Sequence, residues 1–226
     1  SAVLDAARRS GVPLPASGIA LTVRKALPLS GGQGGSAASA VAGAVAADAL
    51  CGAALDQTSL LSCCLLAEET VAGRHLDNIA PSLLGGIVLV RSVDPIDVVR
   101  LPIPDGLHVV LAHPAQRLRT SEARGVLPTS VPRSLALHQM AQVAAIVAAC
   151  YANDLALLGR SIDDRIAEPA RAPLLPGFLA AKEAAMTAGA LGASISGAGP
   201  TAFALVAGAD VAARVATAMR DAYAGA

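Results

Sequence analysis

Apolar and polar positions change their period several times along the chain, and each change marks an element. Residues Ala2 to Ser10 read as the end of a helix stopped by Gly11 and Pro13. Ile19, Leu21 and Val23 then alternate with Ala20, Thr22 and Arg24, a period of two that predicts a half-buried strand. A glycine-rich turn, Ser30 to Gly35, opens onto Ser36 and an alanine and valine run that predicts a helix reaching about Leu50. A second helix is expected from Gln57 to about Val71, and a strand from Ile87 to Val90. Residues Ser92 to Asp105 contain Pro95, Pro102 and Pro104 and read as a segment crossing between two halves. The domain boundary falls there, giving domains of 1–98 and 99–226.

In the second half, Leu107 to Ala112 predicts a strand. A helix after Pro132 places Ala136, Met140, Val143, Val147 and Cys150 on one stripe, spaced for a core-facing side. Leu174 to Ala188 predicts another helix, Gly192 to Pro200 a second glycine-rich turn and Thr201 to Val206 a strand. Asp210 is the expected N-cap of a last helix with Val211, Val215, Ala218 and Ala222 inward. Strands mixed with helices in this order predict an α+β protein of two domains.

Composition narrows the function. The chain has 226 residues, 54% of them hydrophobic, with 17 cationic and 17 anionic side chains, so a core is affordable and no electrostatic footprint for nucleic acid or an anionic membrane is visible. No Trp, two Tyr and two Phe leave little aromatic surface for stacking bases. The partners expected are small molecules. Cys51, Cys63, Cys64 and Cys150 show no paired metal-ligand spacing and read as buried reduced thiols. Ser1 to Arg9 has no apolar core of a signal peptide, and Ala37 to Leu50 is shorter than a membrane span and broken by Asp48. A cytoplasmic protein is expected.

The chemistry-bearing residues follow. In Pro28-Leu29-Ser30-Gly31-Gly32-Gln33-Gly34-Gly35-Ser36-Ala37-Ala38, glycines before a helix let backbone N–H groups and the helix dipole approach phosphate oxygens. A plain flexible turn is the alternative, and no Lys follows to make a Walker A loop. Glu68 lies 32 residues beyond Ser36, and a hydroxyl with a carboxylate suits Mg²⁺; Glu69 is an equally good carboxylate by composition. His75, Asp77 and Asn78 could hold a small substrate or form an Asx-type turn. Arg124, after Thr120, Ser121 and Glu122, and Arg171, after Glu168 and Pro169, offer forks for a carboxylate or ordinary surface ion pairs. Ser194 to Thr201 could line the same site or be a plain hairpin.

Taken in order, these pieces resemble the GHMP small-molecule kinases, named for galactokinase, homoserine kinase, mevalonate kinase and phosphomevalonate kinase. His75 to Pro81 followed by Gly85-Gly86, Thr120 to Arg124 ending near Leu127-Pro128, and Glu168 to Arg171 before Leu175-Pro176-Gly177 are similar to the homoserine-phosphorylating branch. The resemblance runs almost end to end. It implies a two-domain GHMP fold, with an N-terminal part like domain 2 of ribosomal protein S5 and a ferredoxin-like C-terminal domain. It also implies ATP as phosphate donor, L-homoserine as acceptor in threonine biosynthesis, and Mg²⁺ held by Ser36 and Glu68. The phosphate loop would be Pro28 to Ala38. His75, Asn78, Arg124 and Arg171 match the positions that hold homoserine, and Thr120 matches a threonine near the reacting hydroxyl; a homodimer is compatible.

Two departures stand out. Ser30 and Gly31 are swapped in type against the family's loop, Gln33 replaces a leucine, and Gly35 replaces the first of two serines. The family's first motif, ending in a substrate-binding Asp, has no counterpart, so the front of the first domain is expected to be missing from this sequence. Another GHMP kinase is the alternative within the enzymes. A non-catalytic nucleotide or metabolite binder is the alternative if the chain is whole.

Overall fold

Valine-rich alternation drives the first sheet. In the computed structural model, which describes residues 3–4, 19–28, 31–52, 55–70 and 73–225, strands β1 (Ile87–Val93) and β2 (Ile96–Leu101) form an antiparallel hairpin. Leu89 pairs with Val99 and Val90 with Val98. Residues 96–101 therefore form a strand rather than part of a crossing segment: Pro95 sits in the turn and Pro102 after the strand, where neither removes a ladder donor.

Three helices share a core with this hairpin, two of them resting on its strands and the first on those two helices. They are α1 (Gly35–Leu50), α2 (Gln57–Glu69) and α3 (Ile79–Leu84). Asp56 caps α2 by accepting from Ser59 N at 2.7 Å. Ala37, Val41, Leu61, Cys64, Leu76 and Ile79 form the buried floor, with Val88, Val90 and Val98 packed against it. All four cysteines are buried, and burial, helped by neighbouring Cys63, pushes the Cys64 thiol up to about 11. The strand expected at Ile19, Leu21 and Val23 does not form: these side chains are exposed and belong to no ladder among the described residues. Alternation makes a strand only where a partner edge takes up the backbone groups.

The second sheet has three antiparallel strands in the order β3 (Leu107–Ala112), β5 (Ala202–Ala207), β4 (Gly192–Ile195). Val110 faces Ala204, and Ser194 faces Phe203. Residues 192–195 are thus a buried strand, and only the residues after Ile195 form the expected turn. Helices α8 (Phe178–Thr187) and α9 (Ala209–Ala224) complete the core with Phe178, Ala185, Val215 and Met219. Helix α8 starts later than expected because a short 3₁₀ turn takes up Ala172–Leu174 and Gly177, at φ 78°, becomes the N-cap. The N-cap of α9 is Gly208, with Asp210 in the first turn.

Helices α4 (Thr120–Gly125), α5 (Arg133–Ala152), α6 (Leu155–Arg160) and α7 (Ala167–Arg171) lie between β3 and α8 in the sequence. The stripe expected to be core on α5 is largely open: Met140 is 65% exposed and Val143 49%. Only Ala149 and Cys150 of that helix are buried, near its packing against α6. Helical period identifies a face, but packing decides whether it is covered. By length and composition α5 is long and apolar enough to cross a membrane, a property that core helices share.

The contacts divide the chain into two units, Ser1–Pro28 with Gly34–Leu101 and Leu29–Gln33 with Pro102–Ala226. The glycine-rich segment is shared between them in the middle of its own sequence.

Candidate functional site

In the first unit the site begins at the N-terminus of α1. Gly34, at φ 67°, is its N-cap, and no side chain caps the helix, so the first-turn N–H groups keep their donor capacity toward an anion. A Cβ on Gly34 would lie 3.1 Å from Asn78 Oδ1. Glycine therefore lets the Asn78 side chain come up against the loop. Ser36, in the first turn, donates its hydroxyl to Glu68 Oε1 at 2.9 Å. Glu68 is buried in α2, and the helix geometry that turns Leu61 and Cys64 inward also sets this carboxylate toward α1.

That pair meets the chemistry Mg²⁺ asks of a protein. The hydroxyl and carboxylate are hard oxygens, few in number, and a small dication that keeps waters and phosphate oxygens needs no more. Among the described residues no group of three or more His, Cys, Asp and Glu side chains could form a closed metal cage. Glu69, equal to Glu68 on composition, instead faces Arg74 at 3.6 Å.

Asn78 is exposed and ends the tight loop before α3, where its backbone N–H donates to Asp77 Oδ1 at 3.1 Å. Asp77 Oδ1 thus holds the N–H of the next residue without closing an Asx-type turn, which takes the N–H two residues on, and the Asn78 side chain lies against Gly34. His75 is exposed, with its backbone N–H bonded to Gly73 O at 3.0 Å. Leu29 and Ser30 lie outside the described residues; Pro28 and Gly31 to Ala38 are described.

In the second unit, residues Gly31 to Gln33 are held by the β4–β5 turn. Thr201, fully buried, donates its hydroxyl to Gly31 O at 2.5 Å and accepts from Gln33 Nε2 at 3.1 Å. His113 Nδ1 is 2.9 Å from the same oxygen. A hydroxyl has one proton and two lone pairs, so with its proton on Gly31 the arrangement assigns His113 the tautomer protonated at Nδ1. Ser196 Oγ adds a bond to Gly32 O at 2.8 Å. Gly32 itself, at φ 72°, would drive a Cβ to 2.3 Å from Ser196 O, so no other residue fits that approach. Gln33, the polar replacement in the loop, is a tether to Thr201.

Arg171 is the second centre of this unit. Its Nε donates to Ala123 O at 3.0 Å and its Nη1 to Gly197 O at 2.9 Å, so two of its donors join α7 to α4 and to the glycine turn. Burial, opposed by the Asp164 carboxylate and aided by the Arg124 charge, lowers its pKa from the usual value. Arg124 follows Ala123, whose carbonyl Arg171 holds, so the two cations sit on adjoining segments. Thr120 is exposed at the start of α4, where Glu122 Oε2 accepts from Arg119 N at 3.2 Å.

The structure thus gathers Gly34, Ser36, Glu68 and Asn78 in one unit, and Gly31 to Gln33 with Ser196 and Thr201, and Arg124 with Arg171, in the other. It shows no polar contact joining His75 or Thr120 to these groups among the described residues. Sequence reasoning named Thr201 only as the end of a turn that could line the site, and passed over His113, Asp164 and the tethering role of Gln33. Their partners lie 168 and 88 residues apart for the Thr201 bonds, and no local pattern marks such pairs.

The family model described as GHMP kinases N terminal domain matches residues 1–86, and GHMP kinases C terminal matches residues 146–225. A homoserine kinase of Chlorobium phaeobacteroides is 45% identical over 206 residues, covering 91% of this chain and 64% of that protein. One from Arabidopsis thaliana is 42% identical over 192 residues, covering 84% of this chain and 52% of that protein. The chain therefore spans just under two thirds of the length of the Chlorobium relative. The crystal structure of homoserine kinase from Cytophaga hutchinsonii superposes with a TM-score of 0.90 at 39% identity, covering 99% of this chain and 70% of that one. A Leishmania major mevalonate kinase, at 19% identity and a TM-score of 0.67, shares the fold. Matched along nearly its whole length by a homoserine kinase structure and in both halves by GHMP models, the chain belongs to the homoserine kinase family of GHMP kinases.

Proposed function

We propose that the protein transfers the γ-phosphoryl group of ATP to the side-chain hydroxyl of L-homoserine, giving O-phospho-L-homoserine and ADP for threonine biosynthesis. The observation that carries this reading is the Ser36 hydroxyl bonded to Glu68 at 2.9 Å beside a helix N-terminus that no side chain caps. The family likeness names the acceptor. A cytoplasmic setting, with small molecules rather than nucleic acid or membrane as partners, goes with that chemistry.

In this reading the backbone N–H groups of the Pro28 to Ala38 loop hold the phosphates, and Ser36 and Glu68 hold Mg²⁺. When bound, the cation neutralises charge on the transferring group. Arg124 and Arg171 receive the acceptor's α-carboxylate, Arg171 with the donors that Ala123 and Gly197 leave open. His75 and Asn78 bond the acceptor's other polar groups, and Thr120 orients its hydroxyl. The hydroxyl oxygen bonds to Pγ as the bond from Pγ to the β,γ-bridging oxygen breaks, that oxygen leaves on ADP with the electron pair, and the hydroxyl proton is released to solvent water. A loose transition state asks mainly for alignment and charge neutralisation, which these residues provide.

Phosphorus NMR of the protein with ATP, Mg²⁺ and L-homoserine tests this. A phosphomonoester signal rising in step with ADP is expected. Signal from another hydroxyl acceptor and none from homoserine would transfer the activity to a different GHMP substrate, and no ADP with any acceptor would make the chain a binder.

A further inference from the structure

Helix α7 is five residues long and buries none of them. An isolated helix of that length does not hold together in water, and no fully buried apolar side chain offsets the cost of ordering it. Polar anchors replace the core here. At its start, Asp164 Oδ1 accepts from Ile166 N and Ala167 N, each at 2.8 Å, and Oδ2 accepts from Glu168 N at 3.2 Å. At its end stands Arg171, tied to Ala123 and Gly197. Between them Glu168 turns inward with only 12% of its side chain exposed. One carboxylate oxygen takes Lys182 Nζ from α8, and the other takes Ser194 Oγ from β4 at 2.6 Å.

Both partners sit on rigid ground. Ala181 and Ala185 on either side of Lys182 in α8 are fully buried, and every residue of β4 is buried. Glu168 and Arg171 are three apart on one helix and share a face. The Asp164 cap fixes where α7 starts but leaves it able to swing about that end. A second, charge-assisted attachment one turn along removes the swing.

We propose that Glu168 is a positioning residue for the acceptor site: by binding Lys182 and Ser194 it seats α7 so that Arg171 presents its remaining donors in one place. Glu168 touches neither substrate and acts through Arg171. What Arg171 binds rests on the reading above; that Glu168 seats it does not.

The test uses Glu168→Gln, Glu168→Asp and the double variant Glu168→Met/Lys182→Met. Glutamine turns an amide N–H₂ toward a donor, and aspartate is one methylene too short to reach both partners. The KM for homoserine is expected to rise about tenfold or more in both single variants, the equivalent of losing one charge-assisted hydrogen bond, with the KM for ATP within about twofold. The double variant removes both members of the half-buried charge pair together, so it keeps its fold where a single change leaves Lys182 uncompensated. A merely structural role predicts that it recovers the normal homoserine KM, and positioning predicts that the KM stays high.

A second arm needs no substrate. In protein labelled with ¹⁵N-arginine, the Arg171 Nε–H held by Ala123 O should exchange with water about tenfold faster or more in Glu168→Gln than in the unmodified protein. If homoserine is not the acceptor, the kinetic arm finds no turnover to compare, and the exchange arm still decides the proposal. Unchanged Arg171 exchange, or KM values for ATP and homoserine that move together, would overturn it.

Discussion

Helix α1 carries Ser36 next to a fully buried Ala37, and Val41 and Ala44 continue its buried side against Leu61 and Cys64. Helix α7 carries Arg171 and has no buried residue at all. One functional helix is located by non-directional apolar packing along its length, the other by a few directional polar bonds at its start, middle and end. Apolar packing is shared among many contacts and is lost as stability. Polar tethers act at single atoms, so their loss moves a side chain more than it melts a domain. The same molecule thus offers two kinds of mutational response from its two groups of site residues.

The largest expected effect comes from the floor under α1. Leu61→Ala, at a position 1% exposed, should cost about 2–5 kcal/mol of stability, read as a lower midpoint in urea. A loss below ~1 kcal/mol would mean that α1 is not held by apolar packing, and the contrast with α7 would collapse. Next is Glu68→Gln, which keeps the acceptor for Ser36 but removes the charge. It should lower kcat about a hundredfold with stability little changed, measured by ADP release at saturating Mg²⁺.

Arg171→Lys follows. Lysine cannot keep the bonds to Ala123 and Gly197 while offering a fork to a carboxylate, so the KM for homoserine should rise about tenfold or more and that for ATP about twofold or less. Equal rises would show that Arg171 serves the turn that holds Gly32 more than the acceptor. The smallest effect is expected at Tyr223, whose hydroxyl is buried without a partner and pushed up to about 12 by burial. Tyr223→Phe should leave thermal stability unchanged or raise it by about 1 kcal/mol. A clear loss would reveal a partner for that hydroxyl.

Much of this architecture is legible in local pattern. The glycine run before an alanine-rich helix placed α1 to within one residue, and Leu107 to Ala112 is the strand expected there. The strings around Asn78, Arg124 and Arg171 carried the family. Failures occurred where a pattern needs something to pair with. Ile19 to Val23 alternate as a strand should and stay exposed; the α5 stripe repeats as a core face should and is left open at Met140. Gly192 suggested a turn, yet Ala193, Ser194 and Ile195 are buried in the ladder beside β5.

By itself, the order of amino acids determined most of the helices and which side chains have the chemistry to meet phosphate, magnesium or a carboxylate, because helical preference and functional-group chemistry are properties of a residue and its near neighbours. Only the tertiary structure decided that Gln33 and His113 converge on Thr201, and that Glu168 reaches Lys182 and Ser194. A hydrogen bond depends on ångström distances between atoms that chain folding alone brings together, and nothing in residue spacing records them.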